Sequence, residues 1–259
     1  MDLAGILQIH DYKFKENGIN HEIKHSELAS AIAKVHSSEA ELKSWNEWLG
    51  SAKTKGRLTS LPPVNDTSLK PFWTVLQKIC GERVTPEVLA EVLAKKLKNF
   101  SLGSLANWLH GGWLEDYAFE ALQNAMKRIW GAAVQTDPYC GKNLKAEQNH
   151  SRDFELDLAA VLGYQFLAIS CKAGQQQQYK GEAKLALFEA YVRATQLGGD
   201  EARAGLVCCS QAPKTIEDEL ADAWDAEGKI KVFGMFDLMS LENRFFDWLE
   251  VANKRRIVT

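Results

Sequence analysis

The sequence predicts an α/β fold in which helices flank a mixed sheet, preceded by a helical N-terminal region. Two observations support this prediction. Over residues 1–100, apolar residues recur at the spacing of amphipathic helices, whereas from residue 101 short apolar runs alternate with helical segments. We therefore expect a helical region over residues 1–100, with a winged-helix or linker role, and an α/β domain over residues 101–259.

The composition is typical of a globular protein, with 46% hydrophobic and 25% charged residues among 259. No apolar run approaches the roughly 20 residues needed to span a bilayer, and the N-terminus lacks the features of a secretory signal. We therefore expect a cytoplasmic protein. Five cysteines without a C-x-x-C pair argue against a disulfide framework and a zinc site, and favour buried reduced thiols.

In the N-terminal region, a helical pattern begins near residue 26 and breaks at Pro62-Pro63. A later helix has a clear start signal, because Thr85 is a good cap and Pro86 suits the first helical position. From residue 101 the predicted elements follow one another as helix, three strands, helix, strand, helix, strand and helix. The first helix begins after Gly111-Gly112, and the first strand is "IWGAAVQT", residues 129–136.

The next two strands form the stretch "FELDLAAVLGYQFLAISCK", residues 154–172. Gly163 and Tyr164 suit a two-residue type II′ hairpin turn, which needs glycine at its first central position. Such a turn places Leu162 opposite Gln165 and thereby fixes the register of the hairpin. The following segments are a polar loop tip over residues 175–178, a helix ending at residues 198–199, the run "ARAGLVCCS", a helix, the strand "IKVFGM" and a closing helix.

Counting outward from the turn places Asp157 opposite Ser170, with Lys172 on the same face because strand side chains alternate. Glu155 is expected on that face too. Carboxylate oxygens suit Mg²⁺ or Mn²⁺, and a nearby lysine suits the alignment of a water and the stabilisation of charge on phosphorus. Glu115, in the first turn of the helix after Gly112, is a further candidate acid, favoured there by the helix dipole.

This arrangement resembles the PD-(D/E)xK nuclease superfamily. The motifs "GGWLE", "ELD" and "SCK" are similar to "GGWLE", "ELD" and "ECK" in CARF-linked CRISPR ancillary nucleases, and the resemblance covers residues 108–210. It implies a restriction-endonuclease-like fold in which Glu115 and Asp157 bind the metal and Lys172 positions the attacking water. It also implies that the backbone carbonyl of Cys171 is a metal ligand.

The sequence departs from that family at Ser170, where the family has an acid. Three explanations stay open: a nearby acid substitutes, with Glu155, Glu182 and Glu189 as candidates; the site works without this acid; or catalysis is lost. The family's sensor domain, which binds cyclic oligoadenylate, is not visible over residues 1–100. Cyclic oligoadenylate is therefore expected as a partner only if a sensor domain is missing from this chain.

The expected substrate is nucleic acid, DNA with RNA as the alternative. The net charge of −3 argues against a polybasic coat, so the phosphate backbone must bind at a local patch. Lys180 and Lys184 are candidates for that patch, whereas Lys95–Lys98 and residues 254–256 are expected to be solvated faces. The resemblance also implies a homodimer. The rival interpretation is a catalytically inactive, nuclease-like scaffold in a defence complex.

Overall fold

A computed structural model describes residues 1–23, 25–54, 57–94, 101–131, 135–148, 153–174 and 177–254. The predicted mixed α/β fold with a helical N-terminal region is confirmed. The chain forms two compact units, one of residues 1–22, 118–234 and 240–259, the other of residues 23–117 and 235–239. The domain division at residue 100 stays a prediction.

The helices in the described residues are α1 Leu3–Ile9, α2 Ser26–Val35, α3 Glu39–Ala52, α4 Lys70–Cys80, α5 Pro86–Ala94, α6 Leu102–Asn107, α7 Trp113–Trp130, α8 Gln177–Gly198, α9 Pro213–Trp224 and α10 Leu241–Lys254. The strands are β1 Lys13–Phe14, β2 Lys53–Thr54, β3 Arg57–Leu58, β4 Cys140–Glu147, β5 Phe154–Leu162, β6 Gln165–Lys172, β7 Arg203–Cys208 and β8 Ile230–Phe233. None of these helices is both long and apolar enough to cross a lipid bilayer.

The first unit is built on a six-stranded sheet with the order β1-β4-β5-β6-β7-β8. Neighbouring strands are antiparallel up to β6, and β6, β7 and β8 are parallel. Leu162 pairs with Gln165, as predicted, and Gly163 has the positive φ of 66° that the turn requires. The hairpin register inferred from the sequence is therefore confirmed.

Helices cover both faces of this sheet. On one face, α8 contributes Leu187 and Ala190 to an apolar cluster with Phe166 on β6 and Leu206 on β7. On the other face, α10 approaches the sheet so closely at Gly205 that an added Cβ would lie 3.3 Å from the Trp248 ring. The strands between the helices are thus buried on both sides, which explains their continuous apolar runs.

Helix α1 and strand β1 also belong to the first unit. Leu3, Ile6 and Leu7 join the apolar cluster on the α8 face, and Lys13 of β1 pairs with Glu147 of β4. The first 22 residues therefore complete the sheet unit, although they were assigned from the sequence to the helical N-terminal region.

The second unit is mainly helical, with α2 to α6 and a short β2–β3 hairpin. Its buried centre is aromatic: the His36 ring lies 5.3 Å from the Trp45 ring and 4.5 Å from the Trp113 ring, centroid to centroid. At the start of α5 the Val88 N–H donates to the Thr85 hydroxyl at 3.2 Å, so the predicted cap forms.

Two predicted elements are wrong. The strand expected over residues 129–136 is absent where the structure describes it, because Ile129 and Trp130 complete the last turn of α7 and Gln135 and Thr136 are not in a strand; residues 132–134 lie outside the described residues. The strand is β4, which begins at Cys140. Residues 177–178, expected in a loop tip, begin α8, and residues 175–176 are not described.

The outer edge of the sheet at β8 is covered by a side chain from α9. The Glu217 carboxylate, 8% exposed, accepts the Val232 N–H at 2.9 Å and lies 3.1 Å from the Lys231 ammonium. A backbone group that would otherwise face outward from the sheet edge is therefore satisfied within the chain.

Candidate functional site

Strands β5 and β6 separate at one end of their hairpin. Their pairing runs from Leu162↔Gln165 to Leu158↔Ile169. Beyond that point β5 continues to pair with β4, while β6 continues to pair with β7 as far as Lys172. The two strands thus form a fork, which we call the strand fork, with Asp157 on one side and residues 170–172 on the other.

Asp157 closes the inner end of the strand fork through one carboxylate oxygen. Its Oδ2 accepts the Ser170 hydroxyl at 2.8 Å and the Cys171 backbone N–H at 2.7 Å. Continuing the register would pair Cys171 with Leu156, so the Asp157 side chain accepts the N–H that would otherwise extend the ladder. The predicted meeting of Asp157 with Ser170 is therefore present in the structure.

The alternation of side chains in β5 is interrupted next to Asp157. Leu156 and Ala159 lie in the same apolar cluster, although strict alternation would place them on opposite faces. Asn143 lies between two regular pairs of the β4–β5 ladder, and its φ of 51° is in the left-handed region. The backbone is therefore distorted around Asp157. The expectation that Glu155 lies on the strand face of Ser170 is wrong, because its neighbour Leu156 shares the apolar cluster with Ala168 of β6.

Lys172 is two residues beyond Ser170 on β6 and shares its strand face by alternation. Both side chains are half-buried, whereas Cys171 between them is 7% exposed. Because the N–H and C=O of one strand residue point towards the same neighbour, the Cys171 carbonyl is directed towards the β5 side. These placements are compatible with the roles expected for Lys172 and Cys171, which stay predictions.

The other acids near the N-terminal end of β5 are paired with lysines. Glu155 lies 3.5 Å from the Lys145 ammonium across the β4–β5 ladder, and Asp153 forms an ion pair with Lys15. No ion pair to Asp157 is found within the described ranges. Glu182 and Glu189 lie exposed on α8, so the replacement for the missing family acid stays open.

Glu115 lies half-buried in the first turn of α7, in the second unit. The helix does not start freely, because a π-helical turn over Trp108–Gly112 joins it to α6. The Trp113 N–H donates to the carbonyl of Trp108, so the helix has no open N-terminus there. The expected stabilisation of Glu115 by the helix dipole is therefore wrong. Its contribution to a metal site stays a prediction.

The π-helical turn is a feature that sequence analysis missed. It is held by the indole Nε1–H of Trp108, which donates to the buried Asp116 carboxylate at 2.7 Å. Such turns are frequent at functional sites. Paired glycines directly before a long helix were the available signal, but they were interpreted as a helix start.

Lys142 is a second residue near Asp157 that was not predicted from the sequence, because β4 was not predicted. It is 2% exposed and pairs with Leu158, one residue along from Asp157. Placing a lysine in the protein interior is costly unless its charge is satisfied, so this position is constrained.

Both candidate phosphate-binding lysines, Lys180 and Lys184, are in α8. Lys184 forms an ion pair with Glu219 of α9. Lys180 is in α8, but its side chain lies outside the described residues, as do Lys95–Lys98 and the side chains of residues 254–256. A role in binding nucleic acid stays a prediction for both.

The five cysteines are free thiols. Burial raises the pKa of Cys140 to about 12 and also raises the pKa of Cys209. These two thiols are therefore protonated at neutral pH and are poor nucleophiles.

Among the described residues, no three His, Cys, Asp or Glu side chains lie close enough together to form a metal site. Mg²⁺, however, often binds through one or two carboxylates, with waters and substrate phosphates completing its shell. Asp157, a half-buried and oriented carboxylate where the β5–β6 pairing stops, fits this smaller requirement, as does the backbone carbonyl of Cys171.

The fold is shared with two solved structures. Protein VC1899 from Vibrio cholerae is 18% identical with a TM-score of 0.57, and the match covers 97% of this chain and 62% of VC1899. Can2 from Sulfobacillus thermosulfidooxidans, in complex with cyclic tetra-adenylate, is 13% identical with a TM-score of 0.58, and the match covers 96% and 59%. No protein-family model and no curated protein matches the sequence. The chain thus has the fold of these neighbours and spans about three fifths of their length.

Proposed function

We propose that the protein is a metal-dependent endonuclease of CRISPR antiviral defence that hydrolyses phosphodiester bonds in DNA, with RNA as the alternative substrate. The observation that carries the proposal is the strand fork. Asp157 is held there by two hydrogen bonds, and Lys172 follows Ser170 on the facing strand. This combination joins a hard, oriented oxygen ligand with a half-buried cation.

The roles of the chain's own residues follow from their chemistry. Asp157 and the Cys171 carbonyl would hold Mg²⁺ or Mn²⁺, and Glu115 is the further acid that the sequence resemblance implies. A bound divalent ion lowers the pKa of its bound water and neutralises negative charge on the phosphate. Lys172 orients the attacking water by hydrogen bonding and offsets the negative charge that develops on the phosphate.

One structural neighbour supports the defence assignment. Can2 was solved with cyclic tetra-adenylate, the kind of ligand that sensor domains of CARF-linked nucleases bind. Since this chain spans only part of the Can2 length, activation by cyclic oligoadenylate is proposed only for an assembly that includes a sensor domain. A homodimer, cytoplasmic location and phosphate contacts from Lys180 and Lys184 belong to the same proposal.

Asp157 provides the direct test. Supercoiled plasmid and labelled single-stranded DNA and RNA would be incubated with the protein and Mn²⁺, with and without cyclic tetra-adenylate. We expect nicking by the wild type, its loss in Asp157→Ala and a decrease of about 100-fold in Lys172→Ala. Asp222→Ala, which removes an exposed acid of α9, is the matched control and should retain activity.

A second candidate function is an inactive, nuclease-like scaffold, which Ser170 favours because a neutral hydroxyl is a weaker ligand for a hard dication than a carboxylate. Equal nicking by the wild type and Asp157→Ala would reject the assignment of Asp157. Absence of nicking by every protein, including an assembly with a sensor domain and cyclic tetra-adenylate, would favour the scaffold.

A further inference from the structure

We infer that Ser170 is a positioning residue that orients the Asp157 carboxylate for cation binding, in place of acting as a ligand itself. The inference rests on the proposed function. Its basis is the direction of one hydrogen bond: the Ser170 hydroxyl donates to Asp157 Oδ2 at 2.8 Å. A hydroxyl that donates to one oxygen of a carboxylate restrains the rotation of that carboxylate.

The Cys171 N–H donates to the same oxygen at 2.7 Å, so two donors converge on Oδ2. One donor is backbone and rigid, while the other is a side chain that fixes rotation of the carboxylate. Two bonds to one oxygen restrain the carboxylate plane and leave the other oxygen's orientation defined. Partners of this kind hold metal ligands in their binding geometry before the ion arrives.

Serine also changes how the strand fork behaves without a cation. Two ionised carboxylates facing each other across the strand fork would repel unless a cation lay between them. Ser170 instead forms an attractive contact with Asp157. The strand fork of this protein is therefore preformed in the absence of metal, at the expense of one charged ligand.

The test uses the full chain prepared in EDTA, with Ser170→Ala, Ser170→Thr and Asp157→Asn as variants. Mn²⁺ affinity is measured by calorimetry, and the melting temperature is measured in EDTA. We expect Ser170→Ala to melt within about 4 °C of the wild type and to bind Mn²⁺ about 10- to 100-fold more weakly. Ser170→Thr keeps the hydroxyl and should recover wild-type affinity to within about threefold.

Activity gives a second readout. Ser170→Ala should need more Mn²⁺ for half-maximal nicking, while its rate at saturating Mn²⁺ approaches that of the wild type. Ser170→Asp is the converse variant: it should melt at a lower temperature than the wild type in EDTA and gain more stability from Mn²⁺.

The outcomes separate the inference from the proposed function. Unchanged Mn²⁺ affinity in Ser170→Ala, together with weakened affinity in Asp157→Asn, would overturn the positioning role alone. Failure of Ser170→Thr to recover affinity while it melts normally would overturn it too. If the wild type does not bind Mn²⁺, or if Asp157→Asn binds it equally well, the metal site fails and the inference fails with it.

Discussion

At the scale of single residues, His36 shows how burial controls protonation. The ring is 1% exposed and packs against Trp45 and Trp113, and its Nδ1–H donates to the Ile32 carbonyl at 2.9 Å. Burial lowers the pKa of His36 from 6.5 to about 4. The neutral form is therefore part of the folded structure.

This shift predicts a loss of stability in acid. An unfolded histidine binds a proton near pH 6.5, so protons favour the unfolded chain below that pH. The stability associated with neutral His36 is fully present above pH 6.5 and is lost as the pH falls towards 4. The free energy of unfolding should decrease by about 3 kcal/mol over this range. Urea unfolding between pH 7 and pH 4 measures it. In His36→Asn, whose amide can donate to Ile32 without titrating, the decrease should be smaller, and parallel curves would contradict the prediction.

The sequence was most informative about single residues where a turn fixed the geometry. Counting residues from Gly163 correctly predicted that Asp157 lies opposite Ser170, because a two-residue turn allows only one strand register. The sequence did not reveal that Ser170 would donate to Asp157 together with the Cys171 N–H. That detail depends on where β5 leaves β6, and the departure is set by pairing with β4 and β7, which are distant in sequence.

At the scale of elements, strands β5 to β8 were predicted and β4 was not. Strands β5 to β8 are mainly apolar because helices cover both faces of the sheet. Near its start, strand β4 contains Gly141, Lys142 and Asn143, which have low strand propensity or high polarity. It is a strand because it pairs with β5, a tertiary contact that no local pattern reports.

Gly163 in the hairpin turn and Gly181 in α8, as a control, test the hairpin. Gly163 has a φ of 66°, so Ala at this position is expected to cost about 1–2 kcal/mol. Gly181 is exposed in α8 with open space around an added Cβ, so Ala is expected to stabilise by about 0.5–1 kcal/mol. Urea unfolding of both variants should show shifts of opposite sign, and a stable Gly163→Ala would contradict the turn.

At the scale of the whole molecule, the N-terminus is part of the sheet unit. Leu7 is 1% exposed and lies in the apolar cluster beside α8. Leu7→Ala should lower the free energy of unfolding by about 2–5 kcal/mol through lost burial and a cavity. The neighbouring Gln8→Ala, at an exposed position, should change it by less than about 0.5 kcal/mol. An unchanged melting temperature in Leu7→Ala would contradict the assignment of residues 1–22 to this unit.

Glu217 has a consequence for self-association. Because the Glu217 carboxylate accepts the Val232 N–H, strand β8 is poorly suited to pair with another strand. At the opposite edge of the sheet, β1 has only two residues and carries the charged Lys13. Joining two copies edge to edge into one continuous sheet is disfavoured at both margins. We therefore expect that a homodimer of this chain is held together by contacts between helices.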